Sequence, residues 1–292
     1  MIAPTHRDVQ CLIVGDGPLR PALEMLVREW RLERVVRFLG PVPDAELPRV
    51  DRVLNSHCHE DHVAGNHRFP TVPWHLHALD LPGMRSLEGL RATYGFTGAI
   101  DAAFRKVVVD EFHFTPRPDA VPFDDGQSFD LGGVTVRALH APGHTRGHCV
   151  FLIEPDGVLY LGDIDLSSFG PYYGDAWSSL EDFERTLGLV RTLDARWYAT
   201  FHHVGVLEGA AVFRERLDHF TAVIAQREER LLAYLAAPRT LDQIAAHRFV
   251  YRPADPVPFA EPVERRSMGQ HLARLLHAGR VCEVEPARYL AT

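Results

Sequence analysis

The stretch His57-Cys58-His59-Glu60-Asp61-His62 follows closely on the apolar pair Val53-Leu54. Three histidines and their carboxylate neighbours therefore leave one strand-to-loop transition together. A turn can converge side chains that a strand would splay to opposite faces. Neutral imidazoles and carboxylates are ligands of borderline divalent metals, and four of them in six residues exceed what one tetrahedral site needs from a single segment. Two metal ions explain the stretch more economically than a histidine-rich surface loop. Cys58 and Glu60 sit between the candidate ligands and, by alternation, are expected to point away from the metals.

Working outward, further histidines and aspartates recur where β-rich runs end: His144 in Ala141-Pro142-Gly143-His144-Thr145, Asp163 in Leu161-Gly162-Asp163, and the pair His202-His203 after the run 197–201. A strand followed by glycine and then a ligand is a rigid support with an exposed tip. Singly, His144 reads equally as a turn residue and Asp163 as a cap. Their order along the chain favours one shared site. Asp165 reads as a turn carboxylate.

The wider composition is that of an ordinary globular protein. The chain has 292 residues, 46% apolar and 24% charged, with a net charge of −8 and 17 histidines. That mixture excludes a disordered or coiled-coil protein, and the acidic balance disfavours a dedicated duplex-binding face. No window reaches the ~20 apolar residues of a membrane span, and residues 1–8 lack signal-peptide order. A cytoplasmic location is expected, with Cys11, Cys58, Cys149 and Cys282 reduced.

Short β-rich runs at 53–56, 106–109, 134–139, 149–153, 158–161 and 197–201 predict a mixed α/β core. A helix interrupts them, with Ser178 and Glu181 in capping-box spacing. A long helical stripe from Phe213 to Leu235 follows, then helices over 241–246 and 268–278, a proline-rich connector between them, and an extended pair over 280–290.

The ordered set His57, His59, Asp61, His62, His144, Asp163 and a late histidine resembles the metallo-β-lactamase-fold hydrolases, over about 51–209. The resemblance implies an αββα sandwich, with His57, His59 and His144 at one metal. Asp61, His62 and His202 would hold the other, with His203 as the alternative last ligand, and Asp163 would bridge the two. His148 resembles a frequent companion that supports ligands rather than binding metal. An aspartate at 163 is similar to the glyoxalase II and lactonase side of that superfamily, so penicillin hydrolysis is not expected. The implied activity is a metal-dependent hydrolase cleaving an ester, thioester or lactone of a small molecule through a metal-bridging hydroxide, with Asp61 both ligating and accepting the proton. Zinc suits the ligands best, with iron or manganese as alternatives. Tyr172 or Tyr173 could donate to the developing oxyanion, or simply pack. The segment 75–103 is either an apolar lid or a satellite core.

The opening antiparallel strands of that family are not recognisable here. Residues 9–47 instead resemble a βαβ fragment of a family 4 type glycosyltransferase, without its acidic donor-site motif, so the fragment is read as non-catalytic. Three domains are thus expected: an atypical βαβ segment (1–48), the hydrolase domain (49–209), and a small helical, winged-helix-like tail (210–292). The tail is expected to cap the sandwich or form a homodimer. Arg265 and Arg266 are its tight basic pair, flanked by Glu261 and Glu264, so nucleic acid is not the expected partner. The competing readings are a nucleic-acid-binding or nucleic-acid-processing metalloprotein that uses the tail, and a catalytically dead fusion.

Overall fold

The computed structural model describes residues 11–14, 20–29, 36–40 and 50–292. The chain divides into two compact units, Met1–Asp51 and Arg52–Thr292. In the first, β1 (Cys11–Val14) and β2 (Val36–Gly40) pair in parallel, Cys11 opposite Val36, on either side in sequence of α1 (Arg20–Glu29). This is the expected βαβ order. The glycine turn at 15–18 and the boundary near Pro48 lie outside the described residues.

Among the described residues the second unit contains three sheets, a small antiparallel one in the tail and two that pack face to face. A six-stranded sheet runs in the order β11-β10-β9-β8-β7-β6, formed by β6 (Ser128–Asp130), β7 (Thr135–His140), β8 (Cys149–Glu154), β9 (Val158–Tyr160), β10 (Trp197–Ala199) and β11 (Val206–Glu208). Only β9 and β10 are parallel neighbours. The other sheet is parallel throughout: β3 (Val53–Leu54), β4 (Trp74–His77) and β5 (Val121–Phe123). Among the described residues β3 pairs on one side only, with β4.

Alternation decides how the sheets face each other. Phe123 from the small sheet meets Phe129, Val136, Ala138 and Phe151 from the large one, and these form an apolar inter-sheet core. The outer face of the large sheet is covered by α6 (Leu180–Thr192) and α7 (Ala210–Tyr234). Phe183, Leu187, Phe213 and Leu217 lie on their buried stripes, against Val150, Leu159 and Tyr198. The small sheet is covered by α3 (Leu81–Arg85), α4 (Leu87–Tyr94) and α5 (Gly98–Asp110), with Trp74 and Leu76 packing on Met84, Leu90 and Val108. Helix, sheet, sheet, helix is the expected layering.

Local differences have physical reasons. The run 106–109 is helical rather than extended: Ile100, Phe104 and Val108 are spaced by four, and one helix face outweighs the β preference of three successive valines. Ser179, not Ser178, caps α6, accepting from Asp182 N–H. In the tail, α8 (Leu241–His247) opens with a capping box between Thr240 and Gln243. Helix α9 (Ala260–His277) begins eight residues before the expected 268, with Pro262 tolerated in its first turn. With β12 (Arg239–Thr240), β13 (Val281–Glu285) and β14 (Arg288–Ala291) these helices enclose a separate core of Leu231, Ile244, Met268, Leu272 and Val281. Among the described residues no helix is long and apolar enough to cross a membrane.

Candidate metal centre

Immediately after β3 the chain turns into the short helix α2 (Glu60–Val63), whose N-cap is His59. That change from extended to helical backbone points His57, His59, Asp61 and His62 around one space. Asn55 fixes the turn, its amide donating to the His62 carbonyl and pairing with Asn66. Two donor groups result: His57, His59, His144 and Asp163 in one, Asp61, His62 and His202 in the other, each with donor atoms within 4.8 Å of one another. Asp163 stands between them. Its Oδ1 is 2.7 Å from His62 Nε2 and 3.7 Å from His202 Nε2, while its Oδ2 is 3.0 Å from His144 Nε2 and 3.9 Å from His57 Nε2.

The surroundings set the ring tautomers. His144 Nδ1 lies 3.1 Å from the Tyr172 carbonyl, which only accepts, so that nitrogen carries the hydrogen and Nε2 keeps its lone pair. His148 is fixed likewise: Nδ1 donates to the Ala141 carbonyl and Nε2 accepts from Asp163 N–H at 3.1 Å. It therefore holds the Asp163 backbone. The approach requires Gly162, whose φ is +54° and whose hypothetical Cβ would fall 2.5 Å from His148 Nε2.

Buried polar atoms are normally paired. Here His57 Nε2, His59 Nε2, His62 Nε2 and Asp163 Oδ1 are buried without a well-formed hydrogen bond, despite the short His62–Asp163 separation. Lone pairs of borderline donors aimed into one shared space fit a divalent cation, and the cluster could hold metal.

The charge states differ among the rings, and His144 would have to give up a proton before Nε2 could bind a cation. Burial pushes His57 and His59 well below the ordinary imidazole range, favouring the neutral rings that bind metal, and lowers the supporting His148 to about 3. Burial also opposes the charge on His144, but the Asp163 carboxylate outweighs it and lifts His144 to about 9. For Asp163 burial is outweighed by His144 and His57, and its carboxyl stays well below its usual range. Asp61 is lowered too, because its bond from His202 overcomes burial.

Of the expected late ligands, His202 has Nε2 3.1 Å from Asp61 Oδ2. His203 turns outward at φ +55°, its side chain 68% exposed and 3.8 Å from Asp165. Asp165 accepts from the backbone and hydroxyl of Ser167, as a turn carboxylate does. The two tyrosines part company. Tyr172 reaches the site and donates to Asp175 Oδ1 at 3.0 Å, whereas Tyr173 is packed in the sheet–helix core with its hydroxyl 2.8 Å from His271 Nε2. The geometry does not bring Tyr173 to the grouped donors. Cys58 points away as expected, into the apolar cluster under α3 and α4. Glu60 does not: it is already helical, strand alternation no longer applies, and its carboxylate accepts from Tyr94 at the edge of the site.

Three residues with structural duties carried no local signal. Asp80, wholly buried, accepts from Cys58 N–H (3.2 Å), the Thr145 hydroxyl (2.6 Å) and Gly147 N–H (2.7 Å), tying the loop of His57–His62 to the loop of His144. Asp175, also buried, presents Oδ2 without a hydrogen bond 3.7 Å from His59 Nε2, and burial raises its carboxyl to about 7. Arg227, buried in α7, donates to the Phe169 and Pro171 carbonyls and so braces the segment carrying Tyr172.

Beside the donors opens a cavity of about 650 Å³. Tyr94, Phe96 and Phe104 line it, with Phe259 of the tail stacked on Phe96, and so do Phe169 and Tyr172, with Tyr251 of the tail against Phe169. Segment 75–103 thus supplies both a core beneath the site and part of its wall. The tail residues are placed by Glu264, whose buried carboxylate accepts from the backbone N–H groups of Phe249, Val250 and Tyr251.

An αββα sandwich with histidine and aspartate donors converging at the loop ends defines a class of metal-dependent proteins. The chain belongs to the metallo-beta-lactamase superfamily, whose family model matches residues 42–215. It is 32% identical over 195 residues to a hydroxyacylglutathione hydrolase of Methylococcus capsulatus, covering 63% of this chain and 65% of the relative. It is 28% identical over 200 residues to an atrochrysone carboxyl ACP thioesterase of Emericella nidulans, covering 66% of this chain and 48% of that protein. The chain therefore spans between about half and two thirds of the length of these relatives. Among solved structures, a metallo-beta-lactamase family protein from Thermus thermophilus superposes with a TM-score of 0.62 at 26% identity, covering 95% of this chain and 87% of that one. A beta-lactamase domain protein from Burkholderia ambifaria reaches 0.61 at 21% identity over 96% and 82%, a likeness of fold.

Proposed function

We propose that the protein is a dinuclear metal-dependent hydrolase that cleaves an ester, thioester or lactone of a small molecule. The observation that carries this reading is the Asp163 carboxylate, with one oxygen toward His62 and His202 and the other toward His144 and His57. Two separate oxygens facing two separate donor groups suit a carboxylate shared by two cations. His57, His59 and His144 would hold one, and Asp61, His62 and His202 the other. His203 faces solvent, which favours His202 as the last ligand. Zinc fits the set, as would iron or manganese.

Ions bound there would supply Lewis acidity and lower the pKa of water. The protein's own part is positional. His148 fixes Asp163 through its backbone, and Tyr172 fixes His144 through its carbonyl. Asp61 Oδ2 orients His202 and offers an acceptor for a proton on the cavity side. Tyr172 spends its hydroxyl proton on Asp175, so its role is to orient that carboxylate rather than to meet an oxyanion. The hydrolase relatives and the cavity of about 650 Å³ beside the donors support the same reaction class.

The nucleic-acid reading has little support. Arg265 is paired with Glu261 and Asp242, and Arg266 donates to the carbonyls of Gly95 and Gly174. Elemental analysis of protein stripped by chelator and reloaded tests the proposal. About two ions per chain with turnover on an ester, thioester and lactone panel is expected, and Asp163→Ala should lose both together. A chain that takes up no divalent ion would refute it.

A further inference from the structure

The cavity beside the donors also speaks to the substrate. Its wall is aromatic and aliphatic along α5, from Ile100 through Phe104 to Val107, and again in the tail at Tyr251 and Phe259. Among the described residues lining it there is no lysine or arginine, and beyond the metal donors its charged groups are the carboxyls of Glu60, Asp165 and Asp175. Away from the donors such a wall offers an anion no lysine or arginine to pair with, and its apolar surface favours an uncharged group. A volume of about 650 Å³ accommodates a group far larger than acetyl or lactoyl.

Resting on the hydrolase reading above, we propose that the substrate is an ester or thioester bearing a bulky, uncharged, apolar or aromatic group next to the scissile carbonyl, and not an anionic glutathione conjugate. The reaction balances with water alone. A water oxygen bonds to the acyl carbon and the C–S or C–O bond breaks; one water proton leaves on the thiol or alcohol, the other passes to solvent as the acid ionises. The relative from Methylococcus is named for hydroxyacylglutathione. On this inference the present chain departs from it at the cavity rather than at the metals.

The test compares kcat/KM of the metal-loaded protein along two series, thioesters with acyl groups from acetyl to decanoyl and acetate esters with lengthening alcohols, beside S-lactoylglutathione. A rise of up to about fourfold per buried methylene along one series is expected, and the series that rises identifies which side of the carbonyl enters the cavity. S-lactoylglutathione should fall at least tenfold below the best apolar substrate. Ala103→Arg, which places a cation on an exposed position of the wall, should narrow that ratio by about tenfold or more. Calorimetric binding of 2-hexanone and 2-decanone reads the cavity without turnover, and the longer ketone should bind at least tenfold more tightly. Less than a twofold change along both series, or S-lactoylglutathione as the best substrate, overturns the inference. Absence of all hydrolysis with tighter binding of 2-decanone would refute the hydrolase reading and leave the apolar preference standing; absence of both would refute each.

Discussion

Asp80→Ala is the most informative single change outside the donors. The carboxylate accepts from Cys58 N–H, Thr145 Oγ–H and Gly147 N–H, and all four residues are buried. Alanine would leave three donors without an acceptor, at about 1–3 kcal/mol each, partly offset because a carboxylate no longer needs to be buried. A net loss of about 3–5 kcal/mol follows, which for a unit of this size lowers the Tm by roughly 6–20 °C. Because the three bonds tie the His57–His62 loop to the His144 loop, divalent-metal affinity should fall as well. Asp80→Asn retains one oxygen and should cost about half as much. Urea unfolding and metal titration of the three proteins check this. If Asp80→Ala melts within about 2 °C of the parent and binds metal equally, the tie between the loops contributes nothing and the reasoning fails.

Four further outcomes are expected. Gly162→Ala should weaken metal retention, since a Cβ would strike His148 Nε2 and dislodge it from Asp163 N–H; unchanged stoichiometry after dialysis against chelator would contradict it. His77 is held down to about 4 by burial, with His140 adding to the effect, so the unfolded chain takes up its proton near pH 6.5 and the folded chain does not until about 4. Stability is therefore lost as pH falls through that window, and His77→Asn, which keeps an acceptor for Leu79 N–H, should flatten the slope; an identical slope would count against the assignment. Alkylation of native protein should label Cys282 while sparing buried Cys58 and Cys149, and peptide mapping that finds the buried pair modified first would overturn this packing. Because β3 is paired on one side only among the described residues, a version given the family's opening strands should aggregate less and melt higher; equal cooperative stability would show that the edge is harmless.

The donors are legible in the sequence because their grouping is local. Six consecutive positions carry four of them, and His144, Asp163 and His202 each come within four residues of the end of a strand. The layered sandwich is readable for the same reason, through alternation and helical stripes. What escapes depends on distance in the chain. Asp80 meets partners 22 to 67 residues away, and Arg227 braces carbonyls 56 and 58 residues upstream. An isolated aspartate before a leucine-proline pair, or one arginine in a charged helix, gives no hint of such ties. Glu60 defies expectation because strand alternation stops one residue short of it, where the helix begins. Helix α5 does so because Val107-Val108-Val109 has β preference, whereas the tertiary stripe that fixes it begins at Ile100.

The tail contributes none of the seven grouped donors, yet it is stitched to the segments that border them. Gln270 of α9 accepts from Leu180 N–H and donates to the Tyr173 carbonyl, while Arg266 grips the carbonyls of Gly95 and Gly174. On the proposed hydrolase reading, bond-breaking and choice of substrate would fall to different stretches of one polypeptide. Sequence drift around Tyr251 and Phe259 would then alter the cavity without disturbing any of the grouped donors, so descendants sharing the same histidine and aspartate motif need not share a metabolite.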